Sequence, residues 1–480
     1  MTSVHESPYA GSWYPAQAAE LDRLLDSTFE RSLQRTGPAI LPAPLALLVP
    51  HAGLKYSGTV AAAAYRTLAE ARPARVVLLG FSHRGGPPVV AVPDVERIAT
   101  PAGEVAVDCA AATALAAAPP FELVPERQVC DHSVEIQLPL LLRAAPGATL
   151  LPLYVGRLTP GERDRAAHAL AGLAQPGTVF VASSDLTHYG RSFHYEPFPA
   201  DARIHDRLRE LDLGALEAAG SLDSELFLEY LAATGATVCG HDPVALLLRT
   251  LALLDDGDIF QETLDYQTSA EITGDVSHSV SYGAAGYFRA ASFEIGPGDR
   301  DLLLDSAHAT LRRLFETGAR KPIPPAATTP ALTRRAGVFV SLHEGGELRG
   351  CVGNRSGAYS LAESVPELTL SAALDDTRFS PLRRASQPVE VEISILTPMR
   401  RLRDSCGFRL GQHGAYLTSG RKRGLLLPQV AEDRDWTREE FLGALARKAG
   451  LAADAWSHPE TRLYAFRAQI FSRLAPALES

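Results

Sequence analysis

Several things are scarce in this chain, and each scarcity excludes something. Of 480 residues only five are cysteine, and an odd number without paired spacing argues against a disulfide framework. No uninterrupted apolar run approaches the roughly 20 residues that a membrane span needs. The opening MTSVHESPYAGSWYPA lacks the charged-then-apolar order of a secretory signal. Cationic excess is missing too: 46 Lys and Arg stand against 56 Asp and Glu, a net charge of −10. Nothing therefore marks a nucleic-acid or anionic-membrane surface, and plain solubility accounts for the acidity. There is no internal repeat, no long low-complexity segment and no three-cysteine iron–sulfur motif. These absences predict a cytoplasmic enzyme or binding protein, with no nucleic acid and no membrane among its partners.

What is present looks globular. The chain is 46% hydrophobic and 21% charged, ordinary for a folded protein, and its length suits about three domains or two large ones. Two rhythms divide it, with a boundary at 290. Over 1–290, LALLVP (45–50), ARVVLLG (74–80), ATLLPLYVG (148–156) and GTVFVASS (177–184) read as strands buried on both faces. TVAAAAYRTLAEAR (59–72) and PGERDRAAHALAGLAQ (160–175) read as helices between them. That alternation predicts an α/β domain whose central, mostly parallel sheet is flanked by helices, with SYGAAGYF (281–288) as its closing strand. RAASFEIGPGDR (289–300) reads as a linker centred on Gly296-Pro297-Gly298. Over 291–480 the pattern changes to a separate α+β domain with antiparallel strands. It has an amphipathic helix at 301–318, a hairpin at 337–353 turning near Gly345-Gly346, and an alternating strand at 388–398.

In the first domain, residues of metal-ligand type recur where apolar strands stop. His51 follows one strand, His83 another, and Asp185 and His188 a third. Ligands bind open α/β sheets at the carboxyl ends of the strands, so three such ends predict one shared site. VCDHSVEIQLP adds Asp131, His132 and Glu135, and ATVCGHDPVALLL places Cys239 just before a helix. Each has a plainer alternative. A lone histidine at a strand end is a turn residue, Asp185 and Ser183 cap the next helix or turn, His132 caps its helix, and Cys239 is a small buried hydrophobe. His5, His168, His194, His205 and His308 receive only the plain reading. Repetition at successive strand ends is what favours the site.

YAGSWYP (9–15), PHAGLKYSG (50–58), FSH (81–83), DHSVEIQLP (131–139), SSDLTHYG (183–190) and CGHDPVALLL (239–248), then YQTSAEITGD (266–275), resemble the Memo family in order. The resemblance covers about 5–290 and implies a fold similar to class III extradiol dioxygenases, which hold Fe(II) with two histidines and a carboxylate. Carried over, it implies His51, His83 and Cys239 as metal ligands, with Asp185, His188 and His132 lining the pocket as acid–base or supporting groups. The cysteine stands in the carboxylate's place, and the softer thiolate suits Fe(II) or copper. Phe81, Leu54 and Asp131 depart from the family's usual residues; the first two reshape the pocket.

LRGCVGN (348–354), DTRFSPL (376–382), VEISILTP (391–398), HGAYL (413–417) and the stretch at 424–451 resemble the AMMECR family over roughly 295–475. Cys351 lies between Gly350 and Gly353 beside Arg349. It reads either as a nucleophile, with His413 as its base, or as a buried cysteine in a tight strand end. Arg421-Lys422-Arg423 reads as a solvated hairpin turn. The fusion is similar to the AmmeMemoRadiSam grouping, which implies a radical S-adenosylmethionine protein as partner. Three functions stay open: a dioxygenase-like non-haem metal oxidoreductase, a scaffold on a vestigial dioxygenase fold, and a redox-metal binder without turnover.

Overall fold

The computed structural model describes residues 3–38, 41, 43–85, 89–432 and 434–474; Asp433 of the 424–451 motif lies outside them. The chain separates into two compact units, Met1–Arg289 and Ala290–Ser480. Among the described residues no helix is long and apolar enough to cross a membrane.

The first unit is built on a nine-stranded sheet. Its strands are β1 (Ala46–Val49), β2 (Arg75–Gly80), β3 (Val90–Pro93), β4 (Phe121–Val124), β5 (Thr149–Val155), β6 (Thr178–Ser183), β7 (His188–Gly190), β8 (Ile259–Thr268) and β9 (His278–Arg289). They run in the order β7-β9-β1-β6-β2-β5-β3-β4, with β8 also pairing β9. The core strands β1, β6, β2 and β5 are parallel. Antiparallel pairing enters on either side, β9 against β1 and β3 against β5. The SYGAAGYF strand is therefore internal, because β8 covers its outer side along most of its length.

Alternation within the core strands feeds two hydrophobic clusters. Ala46, Leu48, Val77 and Leu79 enter one, and Leu47, Val49, Val76 and Leu78 the other. Both faces are buried, so the strands read as unbroken apolar runs. Helix α1 (Leu54–Ala71) packs on one face through Val60, Ala64 and Leu68. Helices α2 (Pro160–Ala171) and α3 (His241–Leu254) cover the other through Leu170, Val244 and Leu248. Helix α2 opens with a reciprocal Thr159–Glu162 capping box, which satisfies two otherwise unpaired backbone donors. Helix α1 begins before the expected residue 59, taking in Leu54–Gly58.

The second unit opens on helix α4 (Pro297–Thr317). The expected linker is thus mostly structured: Ala290–Phe293 forms a 3-10 turn, and Pro297 occupies the first helical turn, where its missing N–H costs nothing. Strands β10 (Val338–Glu344) and β11 (Glu347–Asn354) form the hairpin around Gly345-Gly346. They join β12 (Val389–Leu396) and β17 (Ala468–Leu474) in the order β11-β10-β12-β17. A second sheet holds β13 (Arg400–Leu402), β14 (Gly414–Ser419), β15 (Lys422–Leu426) and β16 (Arg462–Phe466), ordered β13-β16-β14-β15. Every pairing in both sheets is antiparallel. Arg421–Arg423 lie exposed at the β14–β15 hairpin.

Candidate metal centre

Because β1, β6 and β2 are parallel neighbours, their carboxyl ends share one edge of the sheet. His51 follows β1, Asp185 follows β6 and His83 follows β2. Two glycines let other segments close on that edge. A Cβ at Gly240 would meet Ser183 O at 2.5 Å and Ser184 Cβ at 2.6 Å. Only the bare backbone admits the turn carrying Cys239. At Gly80 a Cβ would meet Ser133 Oγ and Val134 Cγ2, each at 2.7 Å, so the same argument holds for the Asp131–His132 segment.

His51 is the hub. Its Nε2 lies 3.1 Å from Cys239 Sγ, and its Nδ1 lies 3.1 Å from Ser183 Oγ. Ser183 is itself held by Gln137, whose amide donates to Ser183 Oγ at 3.1 Å and to Pro50 O at 2.8 Å. Asp185 Oδ1 accepts the backbone N–H of His51 at 2.8 Å and that of Ala52 at 3.3 Å. On the other side, His83 Nδ1 sits 2.9 Å from Asp131 Oδ1, and the His83 N–H donates to Asp131 Oδ2 at 3.1 Å. The His83 and His132 rings stack at 4.1 Å, and Trp13 stacks on His132 at 4.0 Å. Two sets of donor atoms come within 4.8 Å of one another: His51, His83 and His132, and His51, Asp185 and Cys239. His51 belongs to both. His83 and Cys239, expected as ligands of one ion, fall in different sets.

Burial sets the protonation states. Desolvation first, then the neighbouring His83 and His188, push His51 down to about 3. His132 falls to about 3 for the same leading reason. Both imidazoles are therefore neutral near pH 7, the form that ligates metal. Burial alone would raise Asp131, yet the His83 hydrogen bond, the adjacent His132 and the Ser133 N–H hold it down at about 2. Asp185 moves the other way, raised by desolvation. Burial, reinforced by Asp185, also pushes the Cys239 thiol well above its ordinary value. His188 Nδ1 lies 3.1 Å from both Leu186 O and Thr237 O. Two carbonyl acceptors require the proton on Nδ1, so Nε2 is the nitrogen left to exchange a proton.

For three of these residues the structure gives something other than the plainer expectation. Asp185 caps no following helix; it ties β6 to the His51 turn. Ser183 supports His51. Asp131, not His132, is the N-cap of the short helix His132–Glu135, accepting from Ser133 N. Sequence reasoning gave no role to Trp13, Gln137 or Thr237; the only signal for them lay in the AGSWYP and EIQLP runs and the residues before Cys239. A cavity of about 920 Å³ lined by Trp13, Ala52, Tyr56, His278 and Tyr282 opens beside the His51 turn. A second, of about 390 Å³, is lined by Phe81, Tyr154, Arg157, Cys239 and His241.

In the second unit Cys351 lies on edge strand β11. Its N–H donates to Asp376 Oδ2 at 2.8 Å, and its carbonyl accepts from Arg378 at 3.1 Å. His413 is buried beside Phe408, and its Nδ1 accepts the Arg409 N–H at 3.1 Å. That nitrogen is committed to the backbone and does not serve as a base.

A family profile described as Memo-like protein matches residues 5–286, and one described as AMMECR1 matches 304–471. The protein memo-1 homolog of Caenorhabditis elegans is 30% identical over 295 residues, covering 59% of this chain and 83% of that one. Protein MEMO1 of Xenopus laevis is 29% identical over 288 residues, 58% of this chain and 95% of its own. Protein MK0488 of Methanopyrus kandleri is 35% identical over 186 residues, 37% of this chain and 89% of its own.

Proposed function

The chain belongs to the Memo-like family and carries an AMMECR1 domain behind that region, and on that premise we propose that its first unit is a metal-dependent oxidoreductase centre. His51, His83 and Cys239 are its ligands, for Fe(II) or copper. One observation carries this reading: a buried, neutral imidazole nitrogen 3.1 Å from a thiol sulfur, with further imidazoles beside it. The donor types fit such an ion, since imidazole and thiolate suit iron and copper better than hard cations, and His51, common to both donor groups, would join His83 to Cys239 around it.

A bound Fe(II) or copper ion supplies one-electron redox chemistry there. The chain supplies the rest. Asp131 accepts the Nδ1 proton of His83, and Ser183 accepts that of His51, which leaves each Nε2 free to ligate and fixes each ring. His188, its Nδ1 held by two carbonyls, has Nε2 as the nitrogen to take a proton from a substrate. Trp13, packed on His132, and Tyr56 line the adjoining cavity and keep it apolar on one side. A radical S-adenosylmethionine protein is the partner this reading gives to the fused pair.

A second reading has its own support. The carboxylate grouped with His51 and Cys239, Asp185, has Oδ1 occupied by two backbone N–H groups, and a thiol stands where the ring-cleaving enzymes use a carboxylate. That favours metal binding without turnover, or a binding scaffold. Anaerobic titration of the metal-free full chain with Fe(II) and Cu(I) tests the centre, beside a His51→Ala/Cys239→Ala variant. One ion per chain, lost in the variant, is expected; oxygen uptake with catechols then separates turnover from storage. Binding no tighter than the variant's sinks the metal reading.

A further inference from the structure

A second group of ligand-type side chains, two of them on the short segment that also carries Asp131 and His132, is not used by the centre above. His5 belongs to the strand Val4–Glu6, which pairs with Arg97–Thr100. Cys130 precedes the helix His132–Glu135, and Glu135 ends it. One donor atom from each of His5, Cys130 and Glu135 lies within 4.8 Å of the other two. His5 Nε2 is 3.0 Å from Glu135 Oε1.

That ion pair leaves a polar atom unexplained. Glu135 is 0% exposed, yet its Oε2 is buried with no hydrogen-bond partner. A buried carboxylate oxygen without a partner is costly, and one imidazole N–H satisfies only one of the two oxygens. Cys130 is 2% exposed, so its thiol stands in the same dry space. The His5 side chain is 14% exposed, which gives the cluster one edge open to solvent.

We propose that His5, Cys130 and Glu135 form a second metal site, separate from the His51 centre, that takes Zn(II). One imidazole, one thiolate and one carboxylate are a donor set that zinc accepts with a position left for water. The ion takes up the free Glu135 oxygen, and the Cys130 proton, with the proton on the ligating His5 nitrogen where the ring is charged, leaves to solvent on binding. Its consequence is mechanical: it fastens the Val4–Glu6 strand to the segment that orients His83 through Asp131.

The test removes the other thiol first. The full-length Cys239→Ala variant is titrated with Co(II) and then Zn(II). One Co(II) per chain, with a thiolate-to-cobalt charge-transfer band displaced by Zn(II), is expected. The band should vanish in Cys239→Ala/Cys130→Ala and in Cys239→Ala/His5→Ala, and the rise in Tm with Zn(II) in Cys239→Ala should shrink once His5 is removed. If Cys130→Ala does not fold, the partly exposed His5 still decides the matter. No band in Cys239→Ala, or one that survives loss of His5, overturns the proposal. Because Cys239 is absent throughout, failure here leaves the proposed oxidoreductase centre untouched.

Discussion

The two units treat their thiols differently. Cys239 sits at a parallel sheet's edge among His51, Asp185 and Ser184, whereas Cys351 lies on an antiparallel edge strand beside Asp376 and Arg378. The difference comes from topology. Adjacent parallel strands all finish at one edge, so residues just past β1, β6 and β2 are brought together whatever their separation in sequence. Adjacent antiparallel strands finish at opposite edges, and residues past their ends are scattered. In the second unit Asp376 is held down at about 2 chiefly by the Arg378 hydrogen bond. That arrangement braces a turn, and the groups facing the sulfur are the Arg378 guanidinium and Lys448 rather than an imidazole.

Acid gives the largest way to separate the units. His51 and His132 are displaced from 6.5 to about 3 in the folded chain. A histidine with a lowered folded pKa binds more protons when unfolded. Its contribution is thus intact above the unfolded value and lost as pH falls from 6.5 towards 3. Between pH 6.5 and 5 each costs roughly 2 kcal/mol, about 4 together as an upper bound. Asp185, raised by burial, works in the opposite direction. So does His5, raised by the Glu135 hydrogen bond, whose contribution is intact in acid and lost as pH rises. In the second unit His308 is likewise lowered by burial. Native-state hydrogen exchange on the metal-free chain, corrected for intrinsic rates, should show the first unit losing more protection between pH 7 and 5. Equal losses would break the comparison.

A smaller effect sharpens it. Asp131→Asn keeps the shape but removes the charge that orients His83 and draws its Nδ1 proton, and loss of such a partner weakens metal binding about 10–100-fold. Asp376→Asn makes the same chemical change in the second unit and should leave affinity unaltered. Anaerobic Fe(II) titration of both variants is the measurement. A similar drop in both would mean that the effect is not local.

The parallel core was legible because strands buried on both faces must be apolar throughout, as Leu47–Val49 and Val76–Leu79 are. The edge arrangement was not. β8 carries Gln261, Glu262, Thr263 and Asp265, none of them buried, which hides a strand from any search for apolar runs. In the site, side chains directly after a strand could be read, since chain direction places them. Trp13 on His132 and Gln137 on Ser183 could not. Those contacts depend on how separate segments pack, and no local spacing encodes them.

The same contrast appears in thiol chemistry. Burial and Asp185 raise the Cys239 thiol, so near pH 7 the reactive thiolate is a small fraction. Its alkylation by iodoacetamide in the metal-free chain should therefore quicken about tenfold per pH unit from 7 to 9. Fe(II) or Cu(I) should then protect Cys239, because donating a lone pair to the ion lowers the sulfur's nucleophilicity and the ion shields it. Cys351 lacks imidazoles of that kind in its contacts with Asp376 and Arg378, and its rate should not respond to the metal. Peptide mapping of the alkylated cysteines, with and without metal at each pH, resolves the two positions. Protection of Cys351 alongside Cys239 would mean that the second unit also engages the metal. The parallel edge would then no longer be what distinguishes the two thiols.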